Sequence, residues 1–401
     1  MRVFNKLFQG DRVIWMIVVM LTLVSLMAVY SATGTFANAK YDGNNTYVLL
    51  SHAVKLALGL CAVFAAHRLK YTYYSKLFQY AFWFSIPLLL YTLFCGVNLN
   101  EAQRVVEIFG ISFQSSDFAK IALIGYLARE LTIRQNEIKS FESAFIPLML
   151  PVLAVVGLIF PENFSTAGIL FASCLVLLFV GRINMKYLLA FLAGAIVIMS
   201  IYIIIVVNVA EDKGRTGVWV QRIESFVGKF SGEEKSAEEI ANDANAEDFQ
   251  SIQSKIAIAG GGLVGKAPGR STQRNYLPHP YSDFIFAIIV EEYGLLGGAF
   301  VILLYLILLY RAIRIMVAIP QSFGGFTAFG LAFMMVMQAM VNIGVAVGIF
   351  PVTGQPLPFV SMGGTSILFT GFALGIILSV SKEVNKINER KNELATTESD
   401  N

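Results

Sequence analysis

Three carboxylates stand within one stretch, Arg274 to Gly294. Asp283 lies where a proline-punctuated loop enters an apolar run, and Glu291 and Glu292 follow eight and nine residues later. On a helix rising about 1.5 Å per residue, the pair would lie roughly 12 Å beyond Asp283, deeper in the membrane. Ionised groups at or inside a membrane boundary are costly and call for a partner or a function. Just upstream, Lys255 to Arg274 holds Lys255, Lys266, Arg270 and Arg274, no acid, and a glycine cluster around Gly260 to Gly265. A basic, glycine-rich segment beside a carboxylate suits an anionic ligand. Gly260-Gly-Gly-Leu-Val-Gly-Lys266 approaches a nucleotide-binding loop, but Ala267 stands where Ser or Thr must hold magnesium. Nucleotide binding is therefore excluded, leaving a flexible turn after a short helix or a loop that contacts a diphosphate.

Four other places carry polar groups in apolar surroundings. Asp117 and Lys120, three residues apart, share a helix face. They read either as a structural ion pair or as Lys120 facing a cavity that takes an anionic headgroup. Glu162, Asn163 and Thr166 follow Pro161 at the start of an apolar run, where helix capping competes with a site role. His52 and Lys55 fit snorkelling near a helix end. Phe350 to Ser366 is rich in proline and glycine and reads as a stiff, non-helical external segment. It is either a structural hairpin or a place where Gly363, Gly364 and Ser366 let backbone N–H groups approach a ligand.

These residues need a membrane scaffold to position them. Of 401 residues, 56% are hydrophobic and 14% charged, against about 25% charged in soluble proteins. Apolar runs predict an all-α polytopic membrane protein with about ten transmembrane helices, near 13–33, 47–66, 77–96, 116–130, 142–160, 164–181, 187–208, 284–310, 325–349 and 362–381. The fourth is the most polar. With a cytoplasmic N-terminus, 17 of the 30 lysines and arginines fall on the cytoplasmic side, and only Lys40 and Arg104 in the short outer loops. That bias places both termini in the cytoplasm. Residues 1–401 read as one integral membrane domain. It contains a large extracytoplasmic loop, 210–282, between helices 7 and 8, and a cytoplasmic polar tail, 383–401. Within the loop, Val218 to Phe230 has the spacing of an amphipathic interfacial helix, and 232–248 reads as a solvated acidic insert. Cys61, Cys95 and Cys174 lie in apolar runs and imply neither disulfides nor a metal framework. A net charge of +3 does not call for nucleic acid, and none is expected as a partner.

The chain resembles the SEDS family (shape, elongation, division and sporulation), the FtsW/RodA/SpoVE glycosyltransferases, over nearly its whole length. The resemblance is carried by Gln114-Ser-Ser-Asp-Phe-Ala-Lys120, by Gln253-Ser through the glycine cluster to Tyr276-Leu-Pro-His-Pro-Tyr-Ser-Asp-Phe-Ile-Phe-Ala-Ile-Ile-Val-Glu-Glu-Tyr-Gly294, and by Asn342-Ile-Gly through Pro351 to Ser366. It implies that Asp283 is the catalytic acid of the Asp-Phe-Ile-Phe motif and that Lys120 is the motif lysine. Departures include Ser115, Asp117, Val105 after Arg104, Asn163 where the family has an acid, and Met362 before Gly363. Tyr276-Leu-Pro278 leans towards FtsW and cell division.

The resemblance implies polymerisation of lipid II, the undecaprenyl-diphosphate-linked disaccharide peptide, at the outer face of the bacterial cytoplasmic (inner) membrane. It also implies a class B penicillin-binding protein transpeptidase as partner, with other division-complex membrane proteins. Expected substrate contacts are Lys120, Arg104, Lys266, Arg270, Arg274, Gly363, Gly364 and Ser366. Asp117, Glu291, Glu292 and Asn342 support them, the two glutamates by orienting helices or lining a cavity floor. No cofactor is firmly implied, though a divalent cation, Mg or Mn, would suit the departing diphosphate. Two rivals are a flippase for lipid-linked precursors and a non-catalytic division scaffold. A flippase should place its ionisable groups near the bilayer midplane. Here they cluster at the outer end, and Glu291 and Glu292 are the exception.

Overall fold

The computed structural model describes residues 9–34, 45–99, 102–108, 111–209, 247–319 and 322–399. The interfacial helix expected at 218–230 and most of the acidic insert lie outside the described residues. A helix occupies each of the ten expected spans. They are α1 (Arg12–Ala32), α2 (Asn45–Arg68), α3 (Tyr71–Cys95), α4 (Ser115–Ile133), α5 (Ile146–Ile159, entered through a π-helical turn, Phe141–Phe145), α6 (Phe164–Val180), α7 (Met185–Val209), α9 (Ile285–Ala318), α10 (Phe323–Ala346) and α11 (Ser366–Ser399). An eleventh helix among the described residues, α8 (Glu247–Gly261), belongs to the large loop. The polar tail from 383 continues α11 to Ser399.

Seven spans among the described residues are long and apolar enough to cross a membrane by themselves, and α6 and the first part of α7 are shorter apolar helices. The polar α4 is sheathed instead. It packs against α3, α5, α6 and α10, and Asp117, Lys120 and Glu130 are buried with its apolar residues. A helix surrounded by protein needs no lipid-compatible face, which explains why hydropathy alone reads it weakly. The short segment between α3 and α4 is not a simple loop. It forms a small antiparallel sheet, β1 (Val97–Leu99), β2 (Ala102–Ile108) and β3 (Ile111–Gln114), in the order β1-β2-β3, with Val105 opposite both Val97 and Gln114. Its β-branched residues suit a pleated surface.

Two features position the site. First, α1 and α9 run side by side and are tied at both ends. Near the start of α1, Asp11 pairs with Arg311 at 2.5 Å; twenty residues on, roughly 30 Å along the helix, the Ser31 hydroxyl donates to Glu292. Second, the proline-rich segment 351–362 enters the bundle rather than lying outside it. The Tyr305 hydroxyl donates to the Pro358 carbonyl (2.5 Å) and the Ser25 hydroxyl to that of Val360 (2.7 Å). Leu357, Phe359, Val360 and Ser361 are buried. Irregular backbone at this depth is tolerable because side chains reach its carbonyls.

Candidate active site

Asp283 is placed by three elements. A turn at His279 to Ser282, closed by the Ser282 N–H on the His279 carbonyl (3.0 Å), delivers the chain to the start of α9. The inserted segment then fixes that turn: the Met362 N–H donates to the Tyr281 carbonyl (2.9 Å) and the Ser361 hydroxyl to the Ser282 carbonyl (2.6 Å). From α10, the Asn342 amide donates to the carbonyl of Asp283 itself (2.8 Å). The carboxylate is half-buried and receives the Ser282 hydroxyl at 2.8 Å. Gly354, at φ +63°, brings bare backbone beside it, since a Cβ there would stand 3.6 Å from Asp283 Oδ2.

Glu291 and Glu292 join the loop after α8 to α9. Gly294 sits at φ 69°, ψ −174°, and breaks α9 into 285–293 and 295–318. The break deprives neighbouring peptide groups of helical partners, and the glycine turn after α8 supplies them. The N–H groups of Lys266 and Ala267 donate to the carbonyls of Glu291 and Glu292 (2.9 and 3.1 Å), while those of Leu295 and Leu296 donate to Gly262 and Leu263 (2.9 and 3.3 Å). Only glycines allow this approach, because a Cβ on Gly265 would meet the Glu292 carbonyl oxygen at 2.2 Å. The side chains complete the junction. Glu291 accepts from Lys266 Nζ (2.7 Å), the Ser271 hydroxyl (2.5 Å), the Thr272 N–H and hydroxyl (3.0 and 2.8 Å) and the Gln273 N–H (3.3 Å). Glu292 accepts from Ser31 and from the Ser271 N–H (3.2 Å). Both glutamates therefore sit near the C-terminal end of α1 and clamp a loop to a helix.

The expected cations separate in the same way. Lys266 is engaged by Glu291, and Arg274 donates to the Ser31 carbonyl at 3.0 Å. Arg270 is exposed on the loop surface. Arg104 lies on β2, its side chain outside the described residues. Lys120 is buried and pairs with Asp117 at 2.8 Å, and it also donates to Gln338 at 3.3 Å. Asp117, Lys120, Gln338 and Ser366 line one cavity of about 20 Å³, room for about one water. The ion-pair reading of Lys120 is the one these contacts show, and the cavity beside it is too small for an anionic headgroup. Gly363 packs beside Ser366, and Gly364 is exposed.

Sequence reading missed Gln338, Gln355 and Ser361. The signal for Gln338 was present, as an uncharged polar group four residues before Asn342 in an apolar helix. Gln355 joins Asn163 (3.2 Å) and Thr166 (2.8 Å), so Asn163 both caps α6 and meets the inserted segment. A separate apolar groove of about 580 Å³ runs between α5, α6 and α7, lined by Leu153, Val156, Phe160, Phe164, Phe171 and Phe191 among others. Among the described residues, no three His, Cys, Asp or Glu side chains group to hold a metal ion.

A polytopic helical bundle with a half-buried carboxylate held at the start of α9 defines a class of membrane-embedded scaffold, and sequence comparison names the family. The profile of the FtsW/RodA/SpoVE family, described as "Cell cycle protein", matches residues 11–386; the chain belongs to this family. It is 32% identical to stage V sporulation protein E of Bacillus subtilis over 94% of this chain and 98% of that protein. It is 31% identical to a probable peptidoglycan glycosyltransferase FtsW of Trichlorobacter lovleyi over 94% of each. Among solved structures it is similar to a chain from a peptidoglycan synthase complex described as coordinating polymerization and crosslinking (25% identity, TM-score 0.73, 94% of this chain and 98% of that one). It also shares the fold of the rod shape determining protein RodA of Thermus thermophilus (23% identity, TM-score 0.65, 93% and 97% covered).

Proposed function

We propose that this chain is a peptidoglycan glycosyltransferase that polymerises glycan strands from lipid II at the outer face of the bacterial cytoplasmic membrane, in cell division. The observation that carries the reading is Asp283, a half-buried carboxylate whose backbone is fixed from α10 and from the inserted segment, in a chain of this family. An acceptor sugar hydroxyl attacks the anomeric carbon of the donor. The new C–O bond forms as the bond to the diphosphate breaks, with inversion, and the diphosphate leaves with the electron pair. Asp283 takes the hydroxyl proton. Cations offset the charge that develops on the leaving group. Arg270, exposed on the basic loop, and Lys120 are the candidates. The apolar groove between α5 and α7 has the lining for a stretch of the polyprenyl tail. Mg is commonly held by one or two carboxylates plus substrate phosphates, so Asp283 would be the protein ligand of a divalent cation.

The charge bias supports a cytoplasmic location for both termini. A transpeptidase partner of the class B penicillin-binding protein type fits the similarity to a chain of a polymerising and crosslinking complex. The test is polymer formation from lipid II by purified protein with its transpeptidase partner. Asp283→Asn is expected to abolish it, and wild-type rates in that variant would end the proposal.

A further inference from the structure

Two buried amides on α10 are used in a way that neither helix packing nor ion pairing requires. Gln338 and Asn342 are four residues apart and share a face; they are 7% and 1% exposed. Each reaches a carbonyl of the inserted segment: Gln338 Nε2 donates to Pro356 (2.9 Å) and Asn342 Nδ2 to Gln355 (2.7 Å). That segment needs such donors. Pro351, Pro356 and Pro358 lack N–H groups, and no helix or strand offers a ladder between 351 and 365. The second contact of each amide matters more. Asn342 gives its other hydrogen to the Asp283 carbonyl (2.8 Å), and Gln338 accepts from Lys120 Nζ at 3.3 Å. Asp283 and Lys120 are 163 residues apart in the chain, yet both are referred to the same dipeptide, Gln355-Pro356. The Gln355 side chain then fixes that dipeptide to the start of α6 through Asn163 and Thr166.

We propose that Gln338 and Asn342 are positioning residues that set the spacing between the Asp283 carboxylate and the Lys120 ammonium, through a shared rigid segment. The proposal rests on the reading of Asp283 as the base. An amide is the group required. Asn342 supplies two hydrogens to two carbonyls without a charge, whereas a carboxylate of the same shape would supply none and face both oxygens. Small displacements of a catalytic group lower turnover steeply while leaving substrate binding nearly intact.

The experiment compares lipid II polymerisation and lipid II binding by Asn342→Leu, Asn342→Asp and Gln338→Met, alongside Asp283→Asn, each with the transpeptidase partner. Both Asn342 variants are expected to lose about 30- to 100-fold in turnover with binding within about threefold of wild type. The deficit of Asn342→Asp, measured against Asn342→Leu at each pH, should narrow as pH falls, because a protonated carboxyl regains one donor. Gln338→Met is expected to lose about tenfold, and it carries the test alone should the Asn342 variants not fold. Turnover within threefold of wild type in the folded variants overturns the proposal, as does an equal loss of binding and turnover. An inactive Asp283→Asn beside active amide variants removes only the positioning scheme, while an active Asp283→Asn removes the base assignment beneath it.

Discussion

Two carboxylate sites flank the first, fully buried part of α9, and they are built on opposite plans. At its far end Glu291 is 0% exposed, and its side-chain oxygens receive five hydrogen bonds from Lys266, Ser271, Thr272 and Gln273. At its near end Asp283 is half-buried, and the bonds that hold it from α10 and the inserted segment fall on main-chain carbonyls at 282 and 283. A carboxylate whose lone pairs are met by its own protein is a fastener. One that is half-buried and whose backbone is clamped from two elements is held in place with part of its side chain exposed. The two sites carry the same charged group within one stretch of sequence, and the donors around them separate them.

The comparison can be broken first at its strongest point. Asp283→Asn should lower lipid II polymerisation by about 10³-fold, within the range for loss of a general base, with the thermal midpoint in detergent unchanged. Glu291→Ala should do the reverse. Removing one member of a buried pair costs about 3 kcal/mol, at the low end of the usual range because Lys266 is partly solvated. The midpoint should fall, while polymer formed per folded molecule holds. A Glu291 variant that folds normally but cannot polymerise would erase the distinction. Gly294→Ala sharpens it: the residue is left-handed, and a Cβ would meet the Leu263 carbonyl oxygen at 2.2 Å. A loss of about 2 kcal/mol in stability is expected, read by thermal unfolding, together with earlier proteolysis of the loop. Smallest is Arg270→Ala on the exposed loop. Loss of a solvated cation worth about 1 kcal/mol should raise KM for lipid II about fivefold and leave stability untouched.

Much of this was legible beforehand. Runs of about twenty apolar residues place ten helices because membrane insertion depends on local hydropathy. Asp283 was singled out by its motif and boundary position, and Asn342 as a supporting group. What was not legible depends on partners distant in the chain. Lys266 reads as a free cation until Glu291 is beside it. The β1-β2-β3 sheet reads as a loop because its strands are short and their pairing is not local in pattern. Gln355 reads as one polar residue among prolines until Asn163 and Thr166 meet it.

By itself, then, the sequence determined the family, the ten-helix membrane plan and the residue on which the chemistry is proposed to turn, since each is written in contiguous residues and their periodicity. The tertiary structure decided which carboxylates are fasteners, that the proline-rich segment enters the bundle, and that Lys120 and Asp283 are referred to one dipeptide. The physical reason is that a buried polar group must be met by a donor or acceptor, and which one meets it is fixed only when distant segments cross.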